Sequence, residues 1–553
     1  MGDHTYPAPG EHTIAQLLVR QAQRTPDATF AIFPNRVVSF GELHHEALKV
    51  AKGFLALGLA PGTHVATLMP NCPDWLPAYF GGLYAGLTVV ALNARYKRHE
   101  LRYAIENSDS EVLLTTESES DHVDFVQLVD ETLGTLADDG QVRSGVAPML
   151  RTLVLFGETE NRGFQGIESF IQRGEGVASV EVERRLNAVD PDTTAVIIYT
   201  SGTTAAPKGC ELTHSGIEYS WFTYADVVGL HAGDKVWMPM PFYHTGGVGP
   251  MTVILARGAA FMTQPHLEPG EAVALIREHE INHLYPGFPQ LSLAVIQHPD
   301  YSRERFGFVR SLLNVGPPAM QHAIQEALPE HARLLNLFGM SEGSGIVTFT
   351  PFDAPIAVRA VTSGKPPAHT EIRIVDPEEG GLCGVDEPGE IQFRGPGAFR
   401  GYYRAPEITV QTKIDGGWVR TGDRGKLDGE GWLHFLGRLK DMLKVGGENV
   451  AALEIESFLS QHREVKMVQV IGAPDDRLGE VPVAFVERVP GGTVAAEDLI
   501  TMCQGELAKW KIPRDVVFVS EWPMSATKVQ KYRLRGLLPE RYGIEKEVVD
   551  ELK

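Results

Sequence analysis

The chain of 553 residues is short of cysteine, of basic charge and of uninterrupted apolar runs, and each shortage removes a class of protein. Only four cysteines occur, Cys72, Cys210, Cys383 and Cys503, and no two have CxxC spacing. A zinc ribbon or a redox dithiol is not expected from them. Scattered free thiols suit a reducing cytoplasm, the expected location. Lys and Arg number 50 against 71 Asp and Glu, a formal charge of −21. Such a surface repels phosphodiester backbones, which argues against a nucleic-acid binder. Residues 1–16 lack the basic start and apolar run of a secretory leader. One uncharged stretch, residues 75–92, is nearly long enough to cross a bilayer. It is broken by Gly81, Gly82 and Gly86 and ends in Thr88-Val89-Val90-Ala91-Leu92, so it reads as a buried helix followed by a buried strand.

What is present is an ordinary globular composition, 43% apolar and 22% charged. The first half alternates two periodicities. Residues 14–23 are amphipathic and 29–33 strand-like; Ser39-Phe40-Gly41-Glu42 has capping-box form and opens a helix to about residue 57. Strand patterns follow at 64–69, 88–92 and 111–115, with helical patterns at 75–84 and 100–107. This predicts an α/β fold of mainly parallel sheets covered by helices. Residues 116–150 read as surface helix and loop. Two strands at 371–375 and 390–394 flank a turn-rich stretch, which predicts a β-rich subdomain. After Gly437 come a helix from Ala452, strands at 465–471 and 481–486, a helix from Ala496 and a strand at 515–519. That pattern predicts a small α+β domain of about 115 residues.

Chemistry enters at Tyr199-Thr200-Ser201-Gly202-Thr203-Thr204-Ala205-Ala206-Pro207-Lys208-Gly209, which leaves the apolar strand pattern of 194–198. Glycine lets backbone N–H groups approach an anion, hydroxyls add donors, and lysine adds charge; together they suit a polyphosphate. It is not a P-loop, because Lys208 is followed by Gly209 and Cys210 rather than by Ser or Thr. Further signatures follow: Phe338-Gly339-Met340-Ser341-Glu342, the segment from Gly389-Glu390-Ile391 to Gly401-Tyr402, Arg420-Thr421-Gly422-Asp423, and Gly437-Arg438-Leu439-Lys440-Asp441 running to Glu454-Ile455-Glu456.

In this order the motifs resemble those of the adenylate-forming superfamily: acyl-CoA synthetases, peptide-synthetase adenylation domains and beetle luciferases. The resemblance spans nearly the whole chain. It implies an N-terminal adenylation domain, 1–438, and a mobile C-terminal domain, 439–553. The implied enzyme is an acid–thiol ligase. It attacks the α-phosphate of ATP with a carboxylate, forms an acyl-adenylate and passes the acyl group to coenzyme A. Thr200, Ser201, Gly202, Thr203, Thr204 and Lys208 would hold the β- and γ-phosphates. Glu342 would hold Mg²⁺, with Ser341 beside the α-phosphate. Asp423 would accept from the ribose diol, which a carboxylate can do twice, and Arg438 would also reach the ribose. Gly316, Pro317, Pro318, Asn336, Phe338 and Gly339 would wall the adenine, with Phe338 stacking. Lys440 would be the hinge. Lys444, Gly446 and Gly447 would line a pantetheine channel.

The C-terminal lysine motif is the least regular. Pro523-Met524-Ser525-Ala526-Thr527-Lys528 lacks the glycine the superfamily places before its lysine. Lys528 is the expected catalytic lysine, bridging carboxylate and α-phosphate, with Lys531 the fallback. Pro241-Phe242-Tyr243-His244-Thr245-Gly246-Gly247-Val248-Gly249 resembles the segment that gates the carboxylate, with His244 as the gate. Its glycines leave room for an acid, and no aspartate there would pair a substrate ammonium. The expected acid is therefore fatty, aromatic or steroid-like. Two alternatives stay open: an adenylating enzyme that loads a carrier protein, and an inactive nucleotide-binding relative. The oligomeric state is also open, a homodimer among the options.

Overall fold

Capping explains where the first helices start. Thr13 Oγ1 accepts from the Gln16 N–H at 3.3 Å and Gln16 Oε1 accepts from the Thr13 N–H at 2.8 Å, a capping box that opens the helix Ile14–Arg24. Ser39 Oγ accepts from the Glu42 N–H at 3.1 Å and opens Phe40–Ala56. The computed structural model describes residues 6–117, 122–134, 142, 145–157, 163–200, 207–445, 448–504, 506–524 and 529–542. Of Glu448 and Asn449 only the backbone is described.

Two largely parallel sheets form the body of the chain. One has eight strands in the order Gly401–Tyr402, Lys208–Thr213, Thr194–Thr200, Thr88–Leu92, His64–Leu68, Val112–Thr116, Thr152–Phe156, Phe164–Gly166. From Thr194–Thr200 onward all its pairs are parallel; the first two strands join antiparallel. The second sheet has seven strands, Arg333–Leu335, Ser311–Asn314, His283–Gly287, Lys235–Trp237, Ala260–Met262, Thr29–Phe33 and Arg36–Ser39. Its strands are parallel except for the last pair, a hairpin.

The long uncharged stretch is the seam of this body. All ten residues of the helix Trp75–Tyr84 are buried, and so are all five of the strand Thr88–Leu92. Gly81 is where the helix meets Phe40–Ala56: a Cβ there would lie 2.6 Å from Val50 Cγ1. Trp75 and Tyr79 stack with centroids 4.6 Å apart. The stretch is apolar because it faces protein on every side. Among the described residues no helix is long and apolar enough to cross a membrane.

The remaining sheets are antiparallel or mixed. Glu371–Val375, Gly389–Arg394, Trp418–Leu427, Lys413–Ile414 and Leu433–Arg438 form the β-rich subdomain. Leu337–Met340 and Gly345–Phe349 make a two-stranded ribbon. A smaller C-terminal domain has its own sheet: Glu448–Ala451, Met442–Val445, Gly479–Arg488 and Val465–Asp475, with Asp515–Phe518 parallel to Gly479–Arg488. Its core includes Leu443, Val450, Ile455, Val470 and Val486. The central hairpin is longer than the apolar pattern predicts, pairing Val465 with Arg488 and Asp475 with Gly479. The extension is held by its turn rather than by burial. Asp475 Oδ1 accepts from the Arg477 and Leu478 N–H groups at 3.0 and 2.9 Å, and Gly479 takes φ 77°.

Candidate active site

The phosphate-loop candidate closes a hairpin. Thr194–Thr200 and Lys208–Thr213 pair antiparallel, with Thr200 opposite Lys208, and Thr200 Oγ1 donates to the Lys208 carbonyl at 3.5 Å. Ser201, Gly202, Thr203 and Thr204 lie outside the described residues. So do Gly446, Gly447 and Lys528. The strand before the loop is held on its other side by Thr88–Leu92, with Val90 opposite Ile197. The strand Thr194–Thr200 is therefore paired on both sides as far as Ile198, and its last residues, Tyr199 and Thr200, are held by Gly209 and Lys208.

Glu342 reaches the same place from more than a hundred residues away. It lies in the 3₁₀ turn Ser341–Gly343, which joins Leu337–Met340 to Gly345–Phe349. Ser344 at φ 54° lets the chain reverse there. Gly339 is required by close approach, because a Cβ would overlap the Gly345 carbonyl. A third segment completes the cluster. Tyr402 Oη donates to Glu342 Oε1 at 2.6 Å, and Lys208 Nζ sits 5.2 Å from the Tyr402 ring centroid. The Phe399 N–H donates to the Glu342 carbonyl at 2.8 Å. Burial, and then the Glu342 charge, hold the Tyr402 phenol far above its usual range, so it remains a donor. Burial, again seconded by Glu342, pushes the Cys210 thiol up beside it. Sequence reasoning singled out Tyr402 only as the end of a motif; its link to Glu342 depends on the pairing of Gly401–Tyr402 with Lys208–Thr213.

A second polar cluster lies on the β-rich subdomain. Asp423, 7% exposed, pairs in register with Arg438, whose Nε is 3.5 Å from Asp423 Oδ1. Glu390 organises the turn before Asp423. It is 2% exposed and accepts from the Gly422 N–H at 3.1 Å, from Arg420 Nε at 3.0 Å and from Gln392 Nε2 at 3.0 Å. Sequence reasoning assigned Glu390 no role, since a glutamate in a strand gives no signal until its partners are known. Phe338 lies against Phe435, with centroids 5.8 Å apart and planes at 28°. Asn336 is spent on structure: Nδ2 donates to the Thr362 carbonyl and Oδ1 accepts from the Leu337 N–H, both at 2.9 Å. Gly316, Pro317 and Pro318 follow the strand Ser311–Asn314, with Pro318 opening the helix Pro318–Ala327.

Lys440, exposed, lies in the 3₁₀ turn Leu439–Asp441 directly after Arg438. Partial desolvation, and then the Arg438 charge, pull its ammonium below the usual lysine range. Lys444 lies in the strand Met442–Val445, where its N–H donates to Glu480 Oε2 at 3.0 Å. Lys531, the fallback lysine, is held in this conformation by Glu456 Oε1 at 2.6 Å and the Val470 carbonyl at 3.2 Å. Arg438, Asp441, Glu456 and Lys531 line one cavity of ≈ 190 Å³ between Leu433–Arg438 and the small domain.

On the other side, His244 caps the helix Thr245–Arg257, its ring 4.9 Å from that of Tyr243. The room expected from the glycines is largely taken. A Cβ at Gly247 would overlap the Pro241 carbonyl, and one at Gly249 would overlap the Trp221 indole. Trp221, Phe222, Tyr224, Trp237 and Met238 are all buried.

Two largely parallel sheets, a β-rich subdomain, a small C-terminal domain and two polar clusters from distant segments suit a nucleotide-handling α/β enzyme. The chain belongs to the AMP-binding enzyme family: that family's model matches residues 18–403, and the model of its C-terminal domain matches residues 454–528. The mitochondrial medium-chain acyl-CoA ligase of Mus musculus is 30% identical over 541 residues, 95% of this chain and 87% of that protein. The ATP-bound structure of MatB from Rhodopseudomonas palustris superposes with a TM-score of 0.79 at 27% identity, covering 97% of this chain and 99% of that one. The anthranilate CoA ligase AuaEII in complex with anthranoyl-AMP superposes with a TM-score of 0.84 at 25% identity, covering 97% and 99%. Within the family the chain stands among the acyl-CoA synthetases, the acid–thiol ligases.

Proposed function

We propose that this enzyme activates a hydrophobic carboxylic acid with ATP as an acyl-adenylate, releasing pyrophosphate, and then transfers the acyl group to coenzyme A, releasing AMP. The observation that carries the reading is the convergence of Thr200, Lys208, Glu342 and Tyr402 at the mouth of one hairpin. A carboxylate and a triphosphate repel each other, so the site must neutralise charge as the new P–O bond forms and the bond to pyrophosphate breaks. Lys208 and the hydroxyls of Thr200, Ser201, Thr203 and Thr204, with the N–H of Gly202, take the β- and γ-phosphates. Ser341 lies beside the α-phosphate. Tyr402 orients Glu342 by donating to one of its oxygens.

Glu342 suits a magnesium ion. Among the described residues no three His, Cys, Asp or Glu side chains gather into a ligand set of their own. Magnesium is commonly held by one or two carboxylates together with phosphate oxygens and water, which a single Glu342 beside a triphosphate satisfies. When bound there, the ion supplies charge neutralisation on the phosphates. Asp423 and Arg438 hold the ribose. Phe338 and Gly339, with Gly316, Pro317 and Pro318, take the adenine; Asn336 acts by fixing the ribbon's backbone.

The second half-reaction needs other groups at the same carbonyl. With the domains divided at 438/439, Lys440 serves as the hinge, since a φ/ψ change at few positions can swing a whole domain. One pose delivers Lys528 to the reacting carboxylate. The other delivers Lys444, Gly446 and Gly447 to the pantetheine arm of coenzyme A. His244 gates the carboxylate. The scattered thiols suit work in the cytoplasm.

The test is a panel of short, medium and long fatty acids, benzoates, cinnamates and steroid acids, each with ATP and magnesium, with and without coenzyme A. At least one acid should give pyrophosphate, with AMP appearing at steady state only when coenzyme A is present. Pyrophosphate release with no response to coenzyme A would point to a carrier-loading enzyme instead.

A further inference from the structure

The helix His214–Val228 turns Trp221 towards the ribbon that carries Glu342, and the indole is fixed there by three features. First, Trp221 Nε1 donates to the Ser344 carbonyl at 2.8 Å, one residue past the Ser341–Gly343 turn. Second, the ring occupies two glycine notches. A Cβ at Gly249, on the helix Thr245–Arg257, or at Gly345, at the start of Gly345–Phe349, would overlap it. Gly345 has φ 125°, so a side chain there is excluded twice over. Third, Tyr285 and Tyr224 close on its far side, edge-on, with centroids 5.7 and 6.4 Å from the indole. Tyr285 also faces Gly246: a Cβ there would come within 3.1 Å of the Tyr285 hydroxyl and of Met240 Cε.

We propose that Trp221 is the specificity-determining residue of the acyl site: it bars the space between the two helices behind the Ser341–Gly343 turn, so that the enzyme takes compact acids, aryl or short-chain, and rejects extended fatty chains. The inference rests on the reading of Ser341 and Glu342 as the adenylation site. An acid whose carboxylate reaches that turn finds the indole of Trp221 within a few residues, anchored to the turn's own backbone. The glycines at 249 and 345 do not leave a tunnel; they let the large ring lie flush. The indole is a wall rather than a swinging gate. Rotating it away breaks the bond to Ser344 and empties both notches, and packed interiors resist such voids. The buried Tyr224 and Tyr285 rings leave it nowhere to go. A flat ring or a short chain ends before the indole, whereas a chain of many methylenes must pass through it.

The experiment measures kcat/KM for coenzyme A-dependent AMP release with straight-chain acids from butanoate to hexadecanoate, and with benzoate and cyclohexanecarboxylate. It uses the full-length wild type, Trp221→Ala and the milder Trp221→Phe. Because a single methylene in an apolar pocket changes kcat/KM by about 10-fold or more, the wild type should favour benzoate-sized acids over dodecanoate by at least about 100-fold. Trp221→Ala should raise dodecanoate and lower benzoate, and Trp221→Phe should fall between. Wild type turning over dodecanoate or hexadecanoate as well as benzoate would overturn the proposal while leaving the ligase reading intact. An unchanged chain-length profile in both variants would overturn it equally. No turnover of any acid by wild type would instead remove the ligase reading, and the proposal with it.

Discussion

The two sides of the candidate site are built on opposite plans. On the nucleotide side, short polar segments far apart in the chain meet at strand ends: Lys208, Glu342 and Tyr402 in one cluster, Asp423, Arg438 and Glu390 in the other. On the acyl side, large rings from one helix and a strand pack together, and the indole among them fills the notches at Gly249 and Gly345. In the proposed function the first plan serves to recognise a fixed chemical object, a nucleoside triphosphate, through groups whose type is dictated by its charge. The second, as proposed, would recognise a shape, and many ring combinations could make the same shape. Chemistry is therefore written in motifs, and specificity is written in packing.

The sharpest break of that comparison is on the nucleotide side. Lys528→Ala should lower adenylate formation by about 10²–10³, the usual loss for one charge-stabilising group, while thioester formation from supplied acyl-adenylate persists. Acid-dependent ATP–pyrophosphate exchange measures the first step, and surviving exchange would transfer the role elsewhere. Lys531 is a poor substitute in this conformation, because its ammonium is already bound to buried Glu456.

A smaller effect should follow from Tyr402→Phe. It leaves the ring beneath Lys208 and removes only the hydroxyl given to Glu342. A hydrogen bond to a charged group is worth roughly 1.5–3 kcal/mol, so kcat should fall by about 10-fold or more. The requirement for magnesium should rise with it, read from kcat against magnesium concentration. A change confined to KM for the acid would break the separation of the two sides.

The smallest effect lies away from both clusters. Glu218, 1% exposed, accepts from the Gly10 N–H at 2.7 Å, and burial pushes its carboxyl up to about 8. Unfolded, the group titrates near 4.5. Between those values the native state holds a proton the unfolded chain has lost, so this contribution to stability is full below about 4.5 and is lost as pH rises through about 8. Glu218→Gln can still accept from Gly10, and its thermal midpoint should exceed that of wild type by a margin that grows from pH 5 to pH 8.5. Activity per folded molecule should not change. A constant offset across that range would contradict the account.

The same contrast explains what could be read in advance. The start of the helix Phe40–Ala56 was legible because Ser39 carries its reason locally. The buried run at 75–92 was legible because it carries no charge, is broken by glycines and ends in a strand pattern; in the structure Gly81 and Gly82 pack against Val50 and Val89. Lys208, Glu342 and Asp423 were legible as motif members. Glu390 and the grip of Tyr402 on Glu342 were not, since each depends on strand pairing between distant segments. The glycines at 247 and 249 misled for a physical reason: an absent side chain signals close approach, and only coordinates reveal whether ligand or protein approaches. Here the backbone of Pro241 and the ring of Trp221 do.

The central claim, that residues from separate segments converge to join an organic anion to ATP, is tested most directly by ATP–pyrophosphate exchange without coenzyme A. Full-length wild type should exchange only when its acid is present. Lys208→Ala and Glu342→Gln should each lose about 10²–10³ of that rate while keeping the wild-type thermal unfolding profile. Exchange independent of acid, or exchange undiminished in both variants, would contradict it.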